Sequence, residues 1–411
     1  MKSIFRHILL FSTATALLVG ICILAVAYSR NLPEGSVTVP SNYFSNITET
    51  EANSTVFSTK LEENILLLGS SELTSNSSFK PQRFLPSKGV GVIAYGHAGF
   101  QSFAIQSILA SMLPSVAYPE KLKIVIILSP IWFETEGTHI ERFLESASPY
   151  MLDRIYFGQS TDQQYKFKIA RYIIDHKSEI KRLSPAHSLF MYYYWSQTSR
   201  GSTSISRPDK AILKLRLVGL ALLAKLDIVL YEAFNRISMF LMHGGTTIVS
   251  ATKSAESGDI ALIDWNIMEK AAEESQKSDS QGNTIRVNNE YFLKYLNPQQ
   301  PFTLNPAAPV SRGNPEFKDL SDLCQFMARN SIKPLFIMQP INTLYYRNAS
   351  NYEGVLKSVG DLMQEYGFEY LDLWDWDKST PWGILKDIMH FGDVGWLKVD
   401  RRILDWIGES H

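Results

Sequence analysis

The stretch Ile65-Leu66-Leu67-Leu68-Gly69-Ser70-Ser71-Glu72-Leu73 decides how this chain is read. Four branched apolar residues in a row, closed by a glycine, have the length and composition of a strand buried on both faces. A serine just past such a strand stands where the carboxyl end of an open α/β sheet meets solvent, the usual ligand crevice of these folds. Far downstream lies Asp387-Ile388-Met389-His390. If these four residues form a helical turn, the carboxylate and the imidazole share a face, so Asp387 can hold Nδ1 and aim Nε2 outward. Alone, Gly-Ser-Ser reads as a turn and Asp-x-x-His as the start of a surface helix. Together, in this order, they point to a nucleophile and its base, and hence to acyl transfer. The nucleophile-elbow pattern Gly-x-Ser-x-Gly does not apply, because Leu73 holds its last position.

Working outward, short β-like runs recur at Val92–Tyr95, Ile124–Leu128, Leu335–Met338 and Tyr370–Leu373. Helical patterns at Phe103–Met112, Phe317–Arg329, Tyr352–Tyr366 and Val394–Ile407 alternate with most of them. Apolar strands alternating with amphipathic helices predict a parallel sheet with helices on both faces. Residues 138–310, largely helix-like, interrupt the alternation, so we expect one α/β domain over 61–411 with a large helical insertion.

The amino end has a different character. Lys2 and Arg6 precede Ile8–Tyr28, twenty-one residues without a charge, closed by Arg30. At ~1.5 Å per residue this run is long enough to cross a bilayer. No convincing cleavage site follows it. We therefore expect residues 1–30 to be a single-pass anchor with a cytoplasmic amino terminus, and the catalytic domain to be extracellular. Residues 31–60, rich in Ser, Thr, Asn and Glu, read as a linker. Of the two cysteines, Cys22 falls inside the anchor and leaves Cys324 without a partner. That count suits a bacterial envelope protein better than a eukaryotic extracellular one.

Inside the insertion, residues 165–226 hold twelve Lys and Arg against three acids, while the whole chain is at −1. Such a run is either a solvated helical face or a contact for an anionic polymer or lipid headgroup. Phe190–Trp195 suits an interfacial belt or a packed core corner equally well. Ala211–Phe234 is apolar but broken by five charges, which disfavours a second membrane span.

Among eight histidines, His390 alone combines a carboxylate three residues earlier with a place beyond the last strand; His139 has Glu136 at that spacing but stands where the insertion begins. No His/Cys/Asp grouping has metal-ligand spacing and no phosphate-binding glycine motif occurs. We expect no metal, no cofactor and no nucleic-acid partner.

These residues resemble the SGNH (GDSL-type) hydrolase superfamily, whose sheet is flavodoxin-like. More closely, the chain is similar to the DltD family, the D-alanyl-lipoteichoic-acid biosynthesis proteins of Gram-positive bacteria. The likeness covers the anchor, Leu68–Leu73, Gly96–Ser102, Leu128–Phe133, Gln339–Asn342 and Asp387–Trp396. It implies that Ser71 is the nucleophile, His390 the general base and Asp387 its support. Ser70 takes the position of the superfamily's Asp and is the rival nucleophile. The backbone N–H groups of Ser71 and Gly99 would bind the oxyanion. The superfamily's third block, Gly-x-Asn-Asp, is here Ser129-Pro130-Ile131-Trp132, with no Asn to donate. Asn342 would line the pocket instead, or simply cap its strand. The resemblance implies transfer of D-alanine onto lipoteichoic acid hydroxyls, beside a membrane-bound acyltransferase. An envelope carbohydrate O-acyl esterase and a non-catalytic scaffold that holds teichoic acid are the alternatives.

Overall fold

The structure, a computed structural model, describes residues 64–134, 163–175, 263–296, 313–374 and 381–409. Positions 75, 76, 97, 114, 115, 117, 282 and 347 within those ranges are not described, whereas 20, 61, 143 and 155 outside them are. The expected anchor, apart from Gly20, and the linker therefore lie outside the described residues, as do Phe190–Trp195 and Ala211–Phe234. Among the described residues no helix is long and apolar enough to cross a membrane.

Five strands form one parallel sheet: β1 (Ile65–Gly69), β2 (Val92–Gly96), β3 (Lys123–Leu128), β4 (Leu335–Met338) and β5 (Glu369–Asp372). Their order is 2-1-3-4-5, that of flavodoxin-like doubly wound folds. Each sequence run predicted as a strand is one, to within a residue or two. The helices are α1 (Pro81–Phe84), α2 (Ser102–Met112), α3 (Gln163–Asp175), α4 (Trp265–Asp279), α5 (Asn289–Tyr295), α6 (Pro315–Arg329), α7 (Glu353–Tyr366) and α8 (Asp393–Glu409).

Handedness sorts the helices onto the two faces. The chain steps outward from β1 to β2 through α1, then back past β1 to β3 through α2, and on through α6 and α7 to β4 and β5. Right-handed crossovers in opposite directions must lie on opposite faces. One face accordingly collects Ile65, Leu67, Ala94, Val125, Ile127, Leu335 and Ile337 against Phe84 and Leu85 at α1 and against Trp396, Val399 and Ile403 of α8. The alternate residues Leu66, Leu68, Ile124, Ile126, Phe336 and Met338 point the other way and are also buried. On that side α2 packs on α6 and α6 on α7.

Local sequence sets the helix limits. Asn314 caps α6 by accepting the Phe317 N–H at 2.9 Å, with Pro315 at the first helical position. Gly367, at φ +65°, ends α7 in a left-handed turn in which the Phe368 N–H returns to Met363 O.

Residues 60–147 and 250–411 group, with 39–47, into one compact unit; 148–249 group with amino-terminal segments in another. Of the latter, α3 is the described helix. In it Lys166 is buried, Lys168 half-buried and Arg171 exposed. Burial draws the Lys166 pKa down, so this cation is no part of a solvated face. The other nine basic residues of the charged run lie outside the described residues. Helices α4 and α5, within the stretch read as insertion, belong to the same unit as the sheet, and α4 packs on α8.

At the carboxyl end of the sheet, Gly69 and Gly96 face each other in register. A methyl group on Gly96 would collide with the backbone carbonyl of Gly69, whereas one on Gly354, at an exposed position in α7, would meet open space. Gly96→Ala should therefore destabilise by about 1–3 kcal/mol, as overpacking does. Gly354→Ala should stabilise by roughly 0.5–1 kcal/mol through helix propensity. Urea unfolding of the two variants checks both signs.

Candidate functional site

Ser70 follows β1, and Ser71–Thr74 form a single 3-10 turn, so Ser71 stands at the first position of a helical turn opening from the strand. A first-position N–H has no acceptor within its own turn. The far partner is the loop before α8. Leu385 and Phe391 pair as an antiparallel bridge, and Lys386 N–H bonds to His390 O at 2.9 Å, closing a tight bend over 386–390.

This bend is not the helical turn that the Asp-x-x-His spacing predicts. Asp387 Oδ1 accepts the N–H groups of Met389 (2.9 Å) and His390 (2.7 Å), a side-chain-capped turn. The three-residue spacing still brings the two side chains together: Asp387 Oδ2 lies 2.8 Å from His390 Nδ1. His390 Nε2 lies 2.8 Å from Ser71 Oγ. The series Asp387–His390–Ser71 thus forms across the whole length of the domain.

The two adjacent serines do different things. Ser70 is buried and its Oγ accepts the Gly99 N–H at 3.1 Å. The imidazole meets Ser71, not Ser70. Gly99, at φ +78°, turns the loop after β2 back toward β1. In this arrangement its N–H is directed at the Ser70 hydroxyl rather than into an open oxyanion pocket, which departs from the role that the resemblance implies. The third block also offers no side-chain amide, since Pro130–Phe133 form a 3-10 turn with Trp132 and Phe133 buried.

Asn342 does not line the pocket. It is fully buried, with Oδ1 accepting the N–H groups of Leu344 and Tyr345 and Nδ2 donating to Ile285 O at 2.8 Å. Its backbone N–H donates to Ile388 O at 2.9 Å, between Asp387 and His390. The side chain caps its own turn while the main chain steadies the histidine bend. A second brace comes from Asn288 N–H on Lys386 O at 3.0 Å, and the Asn288 side chain starts α5 by accepting the N–H groups of Glu290 and Tyr291.

Two charged residues that the sequence reading passed over hold the nucleophile turn. Glu72, buried beside Ser71, accepts the Ser70 N–H through Oε1. Lys80, also buried, donates from Nζ to Leu73 O at 2.9 Å. Burial, with Arg83 and Lys386 nearby, draws the Lys80 pKa down to about 8. A Glu one residue past a strand-end serine is the signal that could have been found, as a shortened capping box.

Burial opposes charge on both members of the histidine pair, and the pair overcomes it. For Asp387, burial raises the pKa, but the His390 bond and charge and two backbone N–H groups bring it below the usual carboxylate value. For His390, burial lowers the pKa, but the Asp387 bond and charge, with a contribution from Glu72, raise it above the ordinary histidine value. Such a pair can accept a proton from Ser71 and hold the resulting imidazolium.

The fold and the site define an α/β protein of open parallel sheet with a hydrogen-bonded Ser–His–Asp series at the carboxyl ends of its strands. The chain belongs to the DltD family: the family described as DltD protein matches residues 43–408. It is 23% identical to Protein DltD of Bacillus subtilis (strain 168) over 358 residues, covering 82% of this chain and 80% of that protein. It is 21% identical to Protein DltD of Lacticaseibacillus rhamnosus over 359 residues, covering 83% and 77% respectively.

The geometry gives a signed titration. Observed by NMR, the His390 imidazole should titrate above free histidine. In Asp387→Asn the burial effect is left unopposed by a carboxylate bond, and the titration should fall below the wild-type value. No shift between the two would mean that the 2.8 Å contact does not govern the imidazole.

Proposed function

We propose that this protein is a membrane-anchored, extracytoplasmic acyltransferase of SGNH type. It moves D-alanine through an ester on Ser71 onto hydroxyl groups of teichoic acid. The observation that carries the reading is the Asp387–His390–Ser71 series, with both contacts at 2.8 Å, at the strand ends of a doubly wound sheet. Membership of the DltD family supports the substrate assignment.

In the forward half-reaction His390 Nε2 takes the Ser71 proton as Oγ bonds to the acyl carbon. The imidazolium then returns that proton to the departing group, leaving acyl-Ser71. In the second half an acceptor hydroxyl gives its proton to His390 and bonds to the same carbon, and Ser71 recovers its proton as it leaves. Asp387 keeps Nδ1 protonated throughout and stabilises the imidazolium. The Ser71 N–H supports the developing oxyanion.

The donors around Ser71 bear on the rate of the proposed chemistry. The Gly99 N–H is taken up by Ser70 Oγ and the third block supplies no amide, so the site gives the oxyanion few donors. Losing one such donor costs a serine hydrolase about 10²–10³ in rate. Water and an alcohol attack the acyl-serine through the same tetrahedral oxyanion, so this shortage slows both, and preference for the alcohol rests on binding of the acceptor. The stretch Ile8–Tyr28 would keep the domain at the membrane, where a membrane-bound acyltransferase supplies D-alanine and lipoteichoic acid accepts it. The basic run 165–226 suits a polyphosphate acceptor.

The test is mass spectrometry of purified ectodomain incubated with an activated D-alanyl ester. The wild type should carry D-alanine on Ser71, Ser71→Ala should carry none, and Ser70→Ala should retain the adduct. Asp387→Asn should slow acylation by as much as about 10⁴-fold, the loss seen for the same change in a serine protease. Added glycerol phosphate should take the acyl group faster than water does. Release to water alone would favour an esterase, and absence of any adduct would leave a scaffold.

A further inference from the structure

Glu72 is a buried carboxyl group that the acyl-transfer steps do not use. It adjoins the nucleophile, yet its side chain turns inward and back, so that Oε1 accepts the N–H of Ser70 while Ser71 opens toward the crevice. Room for this carboxyl exists because residue 69 has no side chain. A methyl group on Gly69 would fall on Glu72 Oε1 and crowd Leu73. Gly69 is not at positive φ, so the glycine is explained by this close approach and not by backbone conformation. The turn is thus clamped at its start by Glu72 and at its end by Lys80 on Leu73 O.

The second observation links Glu72 to the base. Burial raises the Glu72 pKa, and the Ser70 N–H and the charge of His390 pull against it. Reciprocally, Glu72 adds to Asp387 in raising His390, while Lys386 on the histidine bend works in the opposite sense. His390 is thus the charged group that acts on Glu72, and Asp387, Glu72 and Lys386 act together on His390.

Resting on the acyl-serine reading above, we infer that Glu72 is a positioning residue for Ser71. Its carboxyl, seated in the space left by Gly69, fixes the backbone on the amino side of the nucleophile. A nucleophile set 2.8 Å from its base gains from being held there. A misplacement of about 1 Å can cost on the order of 10²-fold in rate.

Three variants separate positioning from simple folding support. Glu72→Gln keeps an acceptor for the Ser70 N–H but removes the charge. It should retain acylation within a few-fold, and its His390 NMR titration should move to lower pH. Glu72→Ala should lower the maximal acylation rate by about 10²-fold with little change in KM for the activated ester. Gly69→Ala, which displaces the carboxyl without deleting it, should reproduce that loss. The inference is overturned if Glu72→Ala and Gly69→Ala acylate at the wild-type rate per folded molecule, or if Glu72→Gln leaves the His390 titration unmoved. The titration needs no turnover. It therefore still tests Glu72 if the wild type forms no acyl-enzyme, a result that would sink the acyltransferase reading alone.

Discussion

A parallel sheet covered on both faces leaves its polar chemistry one edge, the carboxyl ends of the strands. Both faces of this sheet are closed by apolar packing, with Trp396, Val399 and Ile403 of α8 pressed on one side. The main-chain turns that leave β1, β2 and β3 therefore gather at one end, where the bend over 386–390 also lies. The contact of Ser71 with His390 follows from this constraint. Helix α8 packs on the sheet face, and the histidine bend that precedes it lies against the end of β1.

The site is rigid because each polar group in it has more than one obligation. Asp387 holds two backbone N–H groups with one oxygen and the imidazole with the other. Asn342 ties the loop after β4 to Ile285 and to Ile388, and Asn288 ties the start of α5 to Lys386. Removing any one of these would leave buried groups unsatisfied, at about 1–3 kcal/mol each. The geometry of the Asp387–His390–Ser71 series and local stability are thus supplied by the same bonds. The nearby tyrosines add to this closed character: burial and neighbouring tyrosines, together with the Asp387 charge, hold the Tyr346 hydroxyl in its protonated form.

Ser70 and Ser71 show how adjacency in sequence can conceal a division of labour. The first points inward to Gly99 and joins the ends of β1 and β2, while the second meets the base. The same division gives the Gly99 N–H to Ser70, where it holds the loop after β2.

The sequence by itself determined the sheet and the identity of its facing residues. Runs such as Leu66-Leu67-Leu68 and Ile124–Leu128 are short and apolar at every position, as a strand buried on both sides requires. Spacing also marked Asp387 and His390 as partners, although the turn that joins them is a side-chain-capped bend and not a helix. The tertiary structure alone decided which serine meets the imidazole, that the Gly99 N–H serves Ser70, that Asn342 is a brace, and that Glu72 and Lys80 clamp the nucleophile turn. The physical reason is that burial patterns are periodic and local, and so can be read along the chain. Which donor a hydroxyl or carboxyl finds depends instead on which groups, near or far along the chain, the fold brings within about 3 Å of one another.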